Sequence, residues 1–321
     1  MGSRYLVRKF LNAFLTIAFI VVLNFLLFRA MPGSPDRMIA RNLPESVRVA
    51  LHERWGIDKP LFPDQLVQYV VSTFNGDLGE SFHFNRTVVD VLGERVWPTV
   101  ILFGVGEVIA IVLGLALGAY SGWKRGGRID YVGNGISLIL YSMPYFVIGM
   151  IILLLFSTTL GWFPTSGMLT IGRVYASPVD QLIDFLAHLT LPLITVAIGL
   201  VGQYSILMRS SVIETLGEDY VMTARAKGLK DIAILRDHAL PNAMLPAVSL
   251  IAINLGYVIA GAITVEVVFG WPGLGTLTVD ALTARDYPIL QGIFLLLSVS
   301  VVVANLVADL VYAVLDPRVR A

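Results

Sequence analysis

The chain has 321 residues, 56% hydrophobic and only 14% charged, and its 23 basic and 23 acidic side chains cancel to a net charge of zero. A soluble domain carries about 25% charged residues, so this composition belongs in lipid, and the balanced charge offers no basic field for nucleic acid. Cysteine is absent, which excludes disulfides, thiolate metal sites and a cysteine nucleophile, and the four histidines (His52, His83, His188, His238) are too scattered for metal-ligand spacing.

Apolar runs of about 20 residues suffice to cross roughly 30 Å of hydrocarbon. They predict six transmembrane helices, at 10–28, 98–120, 132–160, 189–207, 244–265 and 289–314. The first run is longer than a secretory h-region and no small-residue cleavage site follows it, so it is expected to be a retained helix. Lys and Arg set the orientation. With the N-terminus inside, the inner segments 1–9, 122–131, 208–243 and 315–321 hold thirteen basic residues, whereas the short outer loops hold only Arg173 and Arg285. Both termini are therefore expected in the cytoplasm.

Three parts follow: an N-terminal helix (1–30), an extracytoplasmic insertion (31–96) and a six-span protein's remaining core (97–321), with a cytoplasmic loop at about 208–243. In the insertion, Pro44 and Glu45 suit the first turn of a short helix, Gly56 suits its end, and Pro60 and Pro63 oppose its return. Trp55, Leu61, Phe62, Leu66, Tyr69 and Phe74 are expected to supply a small core there.

Polar groups inside the spans need partners. Glu107 in the second span reads either as a pathway or proton-relay group, or as a glutamate hydrogen-bonded between helices. Asn305, Asp309 and Tyr312 share one face of the last span, as helix glue or path lining. Gly104, Gly106, Gly114 and Gly118 predict close helix contacts in the second span. Phosphate-loop, H-E-x-x-H and G-x-S-x-G patterns are all missing, so no catalytic residue and no metal ligand is assigned. A transport subunit driven by a separate motor and a self-contained ion-coupled transporter both remain open, as does a scaffold without flux.

The loop at 208–243 is the longest inner segment. Tyr220, Ala224, Lys227 and Gly228 fall on one helical face, and Thr223, Ala224, Arg225 and Ala226 are mostly small enough for close approach of another surface. Gly228 is placed to stop this helix. A second helical stretch is expected from about 230 to 239, ending before Pro241. An ordinary basic inner loop and a docking lever are the two readings. In the turn Trp271-Pro272-Gly273-Leu274-Gly275, the aromatic predicts an interfacial anchor or a loop that helps receive cargo.

Ala224, Gly228 and Leu240-Pro241 resemble the EAA loop of ABC importer permeases, although Met222 and Thr223 replace its leading Glu and first Ala. The form T-A-R-A-K-G-L…H-A-L-P-N-A resembles the branch that imports dipeptides, oligopeptides and nickel. Pro32-Gly33-Ser34-Pro35, Gly76-Asp77-Leu78-Gly79-Glu80-Ser81, the run from Glu266 to Gly275, Arg285-Asp286-Tyr287-Pro288 and Asp316-Pro317-Arg318 agree with that branch. The resemblance implies an all-α membrane protein of the type I importer permease fold in a bacterial or archaeal inner membrane. It implies a second homologous permease subunit, two ATP-binding subunits carrying ATP and Mg, and an extracytoplasmic substrate-binding protein, with no cofactor in this chain. The ATPase-contacting residues would then be Thr223, Ala224, Arg225, Ala226, Lys227 and Gly228, with His238, Leu240 and Pro241 completing the motif. The expected cargo is a dipeptide or oligopeptide, with nickel chelates and oligosaccharides as alternatives.

Overall fold

The computed structural model describes residues 3–30, 60–258 and 263–315. The expected helix at Pro44 and Glu45, its end at Gly56, Trp55, His52, and the motifs at 32–35 and 316–318 lie outside the described residues, as does the side chain of Tyr312. Twelve helices are described: α1 (Ser3–Ala30), α2 (Leu66–Phe74), α3 (Val88–Trp123), α4 (Arg128–Ser142), α5 (Tyr145–Ile152), α6 (Pro178–Leu216), α7 (Asp219–Ala226), α8 (Asp231–Ile234), α9 (Leu240–Tyr257), α10 (Ile263–Val268), α11 (Leu274–Ala284) and α12 (Tyr287–Leu315). Extended pairing among the described residues is limited to an isolated bridge between Glu80 and Thr87.

Five stretches are single helices long and apolar enough to cross a membrane, and α4 with α5 makes a sixth crossing only as a pair bent by 102°. The span expected at 132–160 is thus present as two helices that meet at a break. Met143 and Pro144 are extended (ψ 130° and 138°), because proline lacks the N–H that would continue the helix and disfavours helical backbone before it.

The centre of the bundle is the parallel pair α3 and α6, of 36 and 39 residues. At 1.5 Å per residue these are roughly 54 and 58 Å long, well beyond the hydrocarbon thickness, so both ends project. Thr87 caps α3 by accepting from the Asp90 amide (3.2 Å), and Ser177 caps α6 in the same way, with Pro178 in its first turn. Glycine brings the pair together. A Cβ at Gly106 would lie 2.6 Å from Val196 Cγ1, one at Gly114 would lie 2.9 Å from the Val201 carbonyl, and one at Gly122 would lie 2.8 Å from that of Arg209. Gly118 likewise abuts the Ser205 carbonyl, whereas Gly104 faces open space and takes no part.

One end of the bundle, the insertion side, carries 60–97, the loop after Thr159 and the turn after Val268. The opposite end, the loop side, carries 124–127 and 208–239. Separate apolar clusters fill them, with Leu102, Phe103, Ile148, Val265, Phe269 and Trp271 at the first and Met208, Val212, Leu235, Ala239 and Ala243 at the second. The expected core of the insertion does not form as a unit among the described residues. Leu61, Phe62 and Phe74 are exposed, and α2 instead lies on α1 through the Tyr69–Phe25 ring contact at 5.5 Å. Helix also resumes directly after Pro63, through a π-helical turn at Leu61–Gln65.

Candidate functional site

The loop on the loop side is two short helices with a core of their own. Val221 and Ala224 of α7 and Ile234 of α8 are buried together, with Leu216 from the end of α6 against them. α7 closes in a Schellman turn: the Gly228 amide donates to Arg225 O (2.9 Å) and the Leu229 amide to Ala224 O (3.4 Å). This requires left-handed backbone at Gly228, whose φ is +80°. Because Ala224 faces the core, the single face expected for Tyr220, Ala224, Lys227 and Gly228 is split. α7 ends at Ala226, and Lys227 and Gly228 lie beyond it. The outward surface is Tyr220, Met222, Thr223, Arg225, Ala226, Lys227, Gly228 and Leu229, with Ile232 of α8; Met222 and Ile232 are each 56% exposed.

The second helical stretch does not end before Pro241. A π-helical turn at Leu235–Ala239 joins α8 to α9, and Pro241 stands in the first turn of α9, where its missing N–H costs little. His238 is half-buried, its carbonyl accepting from Asn242 Nδ2 (2.9 Å), and Leu240 packs on the Met208 and Val212 cluster. The loop thus packs on α6 and runs without a break into α9. A partly buried ion pair adds a second contact: Arg209 of α6 donates from Nε (2.5 Å) and a terminal nitrogen (3.0 Å) to Asp130 of α4. Asp130 also accepts from Ser121 Oγ and the Gly126 amide.

At the insertion side, three carboxylates organise the backbone. Glu266 accepts from Thr99 Oγ1 (2.7 Å), the Gly275 amide (2.7 Å) and the Thr276 amide (3.1 Å), so it satisfies the first free N–H groups of α11. Trp271 is 0% exposed and donates its indole N–H to the Pro98 carbonyl (2.9 Å). The interfacial anchor expected of Trp271 is therefore corrected: the ring is enclosed because its polar edge finds a partner inside the bundle. Pro272 continues the tight turn, and Gly273 and Gly275 lie where a Cβ would strike the Glu266 carboxylate. The second carboxylate, Asp286, accepts from Ser81 Oγ and the His83 amide, bringing together the runs at 76–81 and 285–288. Asp184 accepts from the Thr170 amide and hydroxyl, Arg173 and Tyr175, and holds the loop before α6. Burial and this bond to Asp184 push the Tyr175 hydroxyl above its ordinary range.

Between the two ends, Glu107 is 2% exposed and accepts from the Tyr204 hydroxyl, which in turn accepts from Asn254 Nδ2 (2.9 Å). The hydrogen-bonded reading of Glu107 describes this geometry. Asp309 pairs with Lys9 Nζ at 2.6 Å across α12 and α1, while Asn305 on the same helix is exposed.

Residues 110–321 match the family model described as the inner membrane component of binding-protein-dependent transport systems, and residues 2–103 match that of the N-terminal part of such membrane components. The chain belongs to this family. This permease is a multi-pass membrane protein. It is 38% identical over 321 residues to a protein of Brucella suis biovar 1 named as a peptide permease, covering 99% of each chain. It is 34% identical over 317 residues to the glutathione transport system permease protein GsiC of Pectobacterium atrosepticum, covering 98% of each. Its fold is similar to a chain of the MetNI methionine ABC transporter in an inward-facing conformation, with a TM-score of 0.55, 17% identity, and 71% of this chain and 97% of that chain covered. At that identity the likeness is one of fold.

Reading the sequence alone missed most of the polar network: Thr99, Asp130, Asp184, Tyr204, Arg209, Asn254 and the bonding roles of Glu266 and Asp286. For Glu266 a signal existed, since two glycines seven and nine residues later leave room for a carboxylate. For Asp130 and Arg209, 79 residues apart in the chain, local sequence held none.

Proposed function

We propose that this permease is the first of two dissimilar permease subunits in an ATP-driven importer of dipeptides and oligopeptides. The observation that carries the cargo is end-to-end similarity to a protein named as a peptide permease; glutathione, named for a second relative, is itself a tripeptide. ATP and Mg are bound and hydrolysed on two partner subunits, and a substrate-binding protein delivers cargo to the insertion side, which is extracytoplasmic. The loop side then faces the cytoplasm of a bacterial or archaeal cell, as the excess of Lys and Arg supports.

The outward residues Thr223, Arg225, Ala226, Lys227 and Gly228, with Met222, Leu229 and Ile232 beside them, dock on an ATP-binding subunit, while Ala224 supports them from beneath. What supports this is a preformed apolar and basic face on a loop that owns a small core, which lowers the ordering cost of binding. Closure of the ATP-bound motor pushes α7. The His238, Leu240 and Pro241 segment passes that push into α9, and Arg209 and Asp130 pass it into α4. The turn from Trp271 to Gly275 supports the surface that meets the binding protein.

The test is ATP-dependent uptake of a labelled dipeptide by the complete complex in vesicles loaded with ATP and Mg. A Cβ at Gly228 meets nothing within 4 Å, so Gly228→Asp leaves the bundle intact and places strained backbone and a negative charge at the docking face. The expected result is normal membrane insertion with uptake reduced at least roughly tenfold, equivalent to about 1.4 kcal/mol of lost coupling. Wild-type uptake by this variant would sink the docking assignment, and uptake by this chain alone under an ion gradient would replace the importer reading.

A further inference from the structure

The break between α4 and α5 lies deep in the bundle. Gly202 of α6 packs on the last turn of α4, where a Cβ would lie 2.5 Å from the Ser137 carbonyl and 2.9 Å from the Tyr141 amide. Gly199 seats the Tyr145 ring at the start of α5. Both glycines stand near the middle of the apolar run 189–207, so the break is at mid-membrane depth. Its polar backbone is open. Pro144 has no N–H for the Leu140 carbonyl, and the first bonds of α5 run from Val147 and Ile148 to Pro144, leaving the carbonyls of Tyr141 and Ser142 outside the helical ladder. Tyr141 is 58% exposed, and Ser142 and Pro144 are exposed with it.

Irregular backbone at this depth does not face lipid tails; it is covered by protein or lines water. Here the opening is neutral and rich in acceptors. It adjoins the chain Glu107–Tyr204–Asn254 through α6, where Tyr204 stands between Gly202, which packs on Tyr141, and Ser205, whose hydroxyl accepts from Ser137 Oγ of α4 (2.9 Å). A packed protein partner would have to supply donors matched to several carbonyls in a row. Water supplies them without matching, and a peptide supplies them from its own N–H groups.

We propose that Tyr141, Ser142 and the open carbonyls beside them line the cargo path, where they bind the backbone N–H groups of a passing peptide, and that Glu107 is a positioning residue acting through Tyr204. Such a site reads the peptide backbone and is indifferent to side-chain charge. This rests on the importer reading above.

The chain has no cysteine, so single replacements report cleanly. Tyr141→Cys and Ser142→Cys, each in the complete complex in lipid nanodiscs, are treated with a charged methanethiosulfonate reagent. Leu154→Cys, at a position 62% exposed on the apolar arm of the same bent pair, is the comparison. The expected result is modification of 141 and 142 roughly tenfold or more faster than 154, because only water-facing thiols ionise and react. Rates should also differ between the nucleotide-free and vanadate-trapped states, and saturating dipeptide should slow them. Absence of reaction at both positions in both states overturns the proposal, as does cross-linking of either to the second permease without any state dependence. Uptake by the unmodified complex is measured in parallel. Uptake with unreactive cysteines defeats this inference alone, and absence of ATP-driven uptake defeats the importer reading beneath it. Glu107→Gln, which keeps a hydrogen-bonding group for Tyr204, should retain the labelling pattern, whereas Glu107→Leu should alter the rate at 142; an unchanged rate in Glu107→Leu removes the positioning role.

Discussion

At the insertion side, Glu266 and Asp286 gather donors from segments far apart in the chain and Asp184 from the loop just before its own helix, whereas on the loop side α7 and α8 rest on three small or branched apolar residues and a neighbour. A carboxylate with three bonds has essentially one satisfying arrangement, and losing a donor in a buried setting is expensive. Apolar contacts are non-directional and tolerate small sliding. On the proposed coupling, the end that meets cargo would hold its shape while the loop end is pushed. Asp130 and Arg209 are the exception on the loop side, a directional tie placed where α4, α6 and the end of α3 meet.

The sharpest way to break this comparison is to remove a carboxylate on the rigid side. Glu266→Ala leaves the Gly275 and Thr276 amides at the start of α11 without their acceptor, and should cost about 1–3 kcal/mol for each donor stranded. The measurement is the thermal midpoint of the detergent-solubilised permease, and a change of less than a degree would show the knot to be dispensable.

Next in size, Asp130→Ala should cost about 1–3 kcal/mol by stranding the Arg209 donors. Its distinguishing effect is on coupling: ATP hydrolysis by the complex should continue while uptake falls, and the exchange Asp130→Arg with Arg209→Asp should restore part of the uptake. Equal loss of hydrolysis and uptake, without rescue, would reduce the pair to a structural contact. The smallest effect belongs to Lys9 and Asp309, whose side chains are both partly exposed. Asp309→Asn should shift stability by about 0–1 kcal/mol, as for other exposed pairs, and a larger shift in the same melting assay would place this pair with the rigid-side carboxylates.

The apolar runs at 10–28, 98–120 and 289–314 lie inside α1, α3 and α12, because hydropathy over 20 residues is a local property. Gly228 as a helix stop was equally local, since its φ follows from the absence of a Cβ. The run 132–160 gives the crossing but not its shape: apolar composition is the same for a straight and a broken span, and Pro144 is the local sign of the 102° bend. Trp271 misled. An aromatic before Pro-Gly has the same sequence signature whether its ring meets headgroups or the Pro98 carbonyl 173 residues away.

The sequence by itself determined that the chain lives in a membrane, roughly where it crosses, which inner loop is long, basic and glycine-stopped, and which family's motifs it carries. All of these are sums over neighbouring residues. Only the tertiary structure decided that Ala224 faces inward, that Ser81 meets Asp286, that Arg209 reaches Asp130 and that the third crossing is broken beside Gly199 and Gly202. Those choices depend on which polar groups satisfy one another across the bundle, and a hydrogen bond between residues 79 or 205 positions apart leaves no periodic trace in either segment.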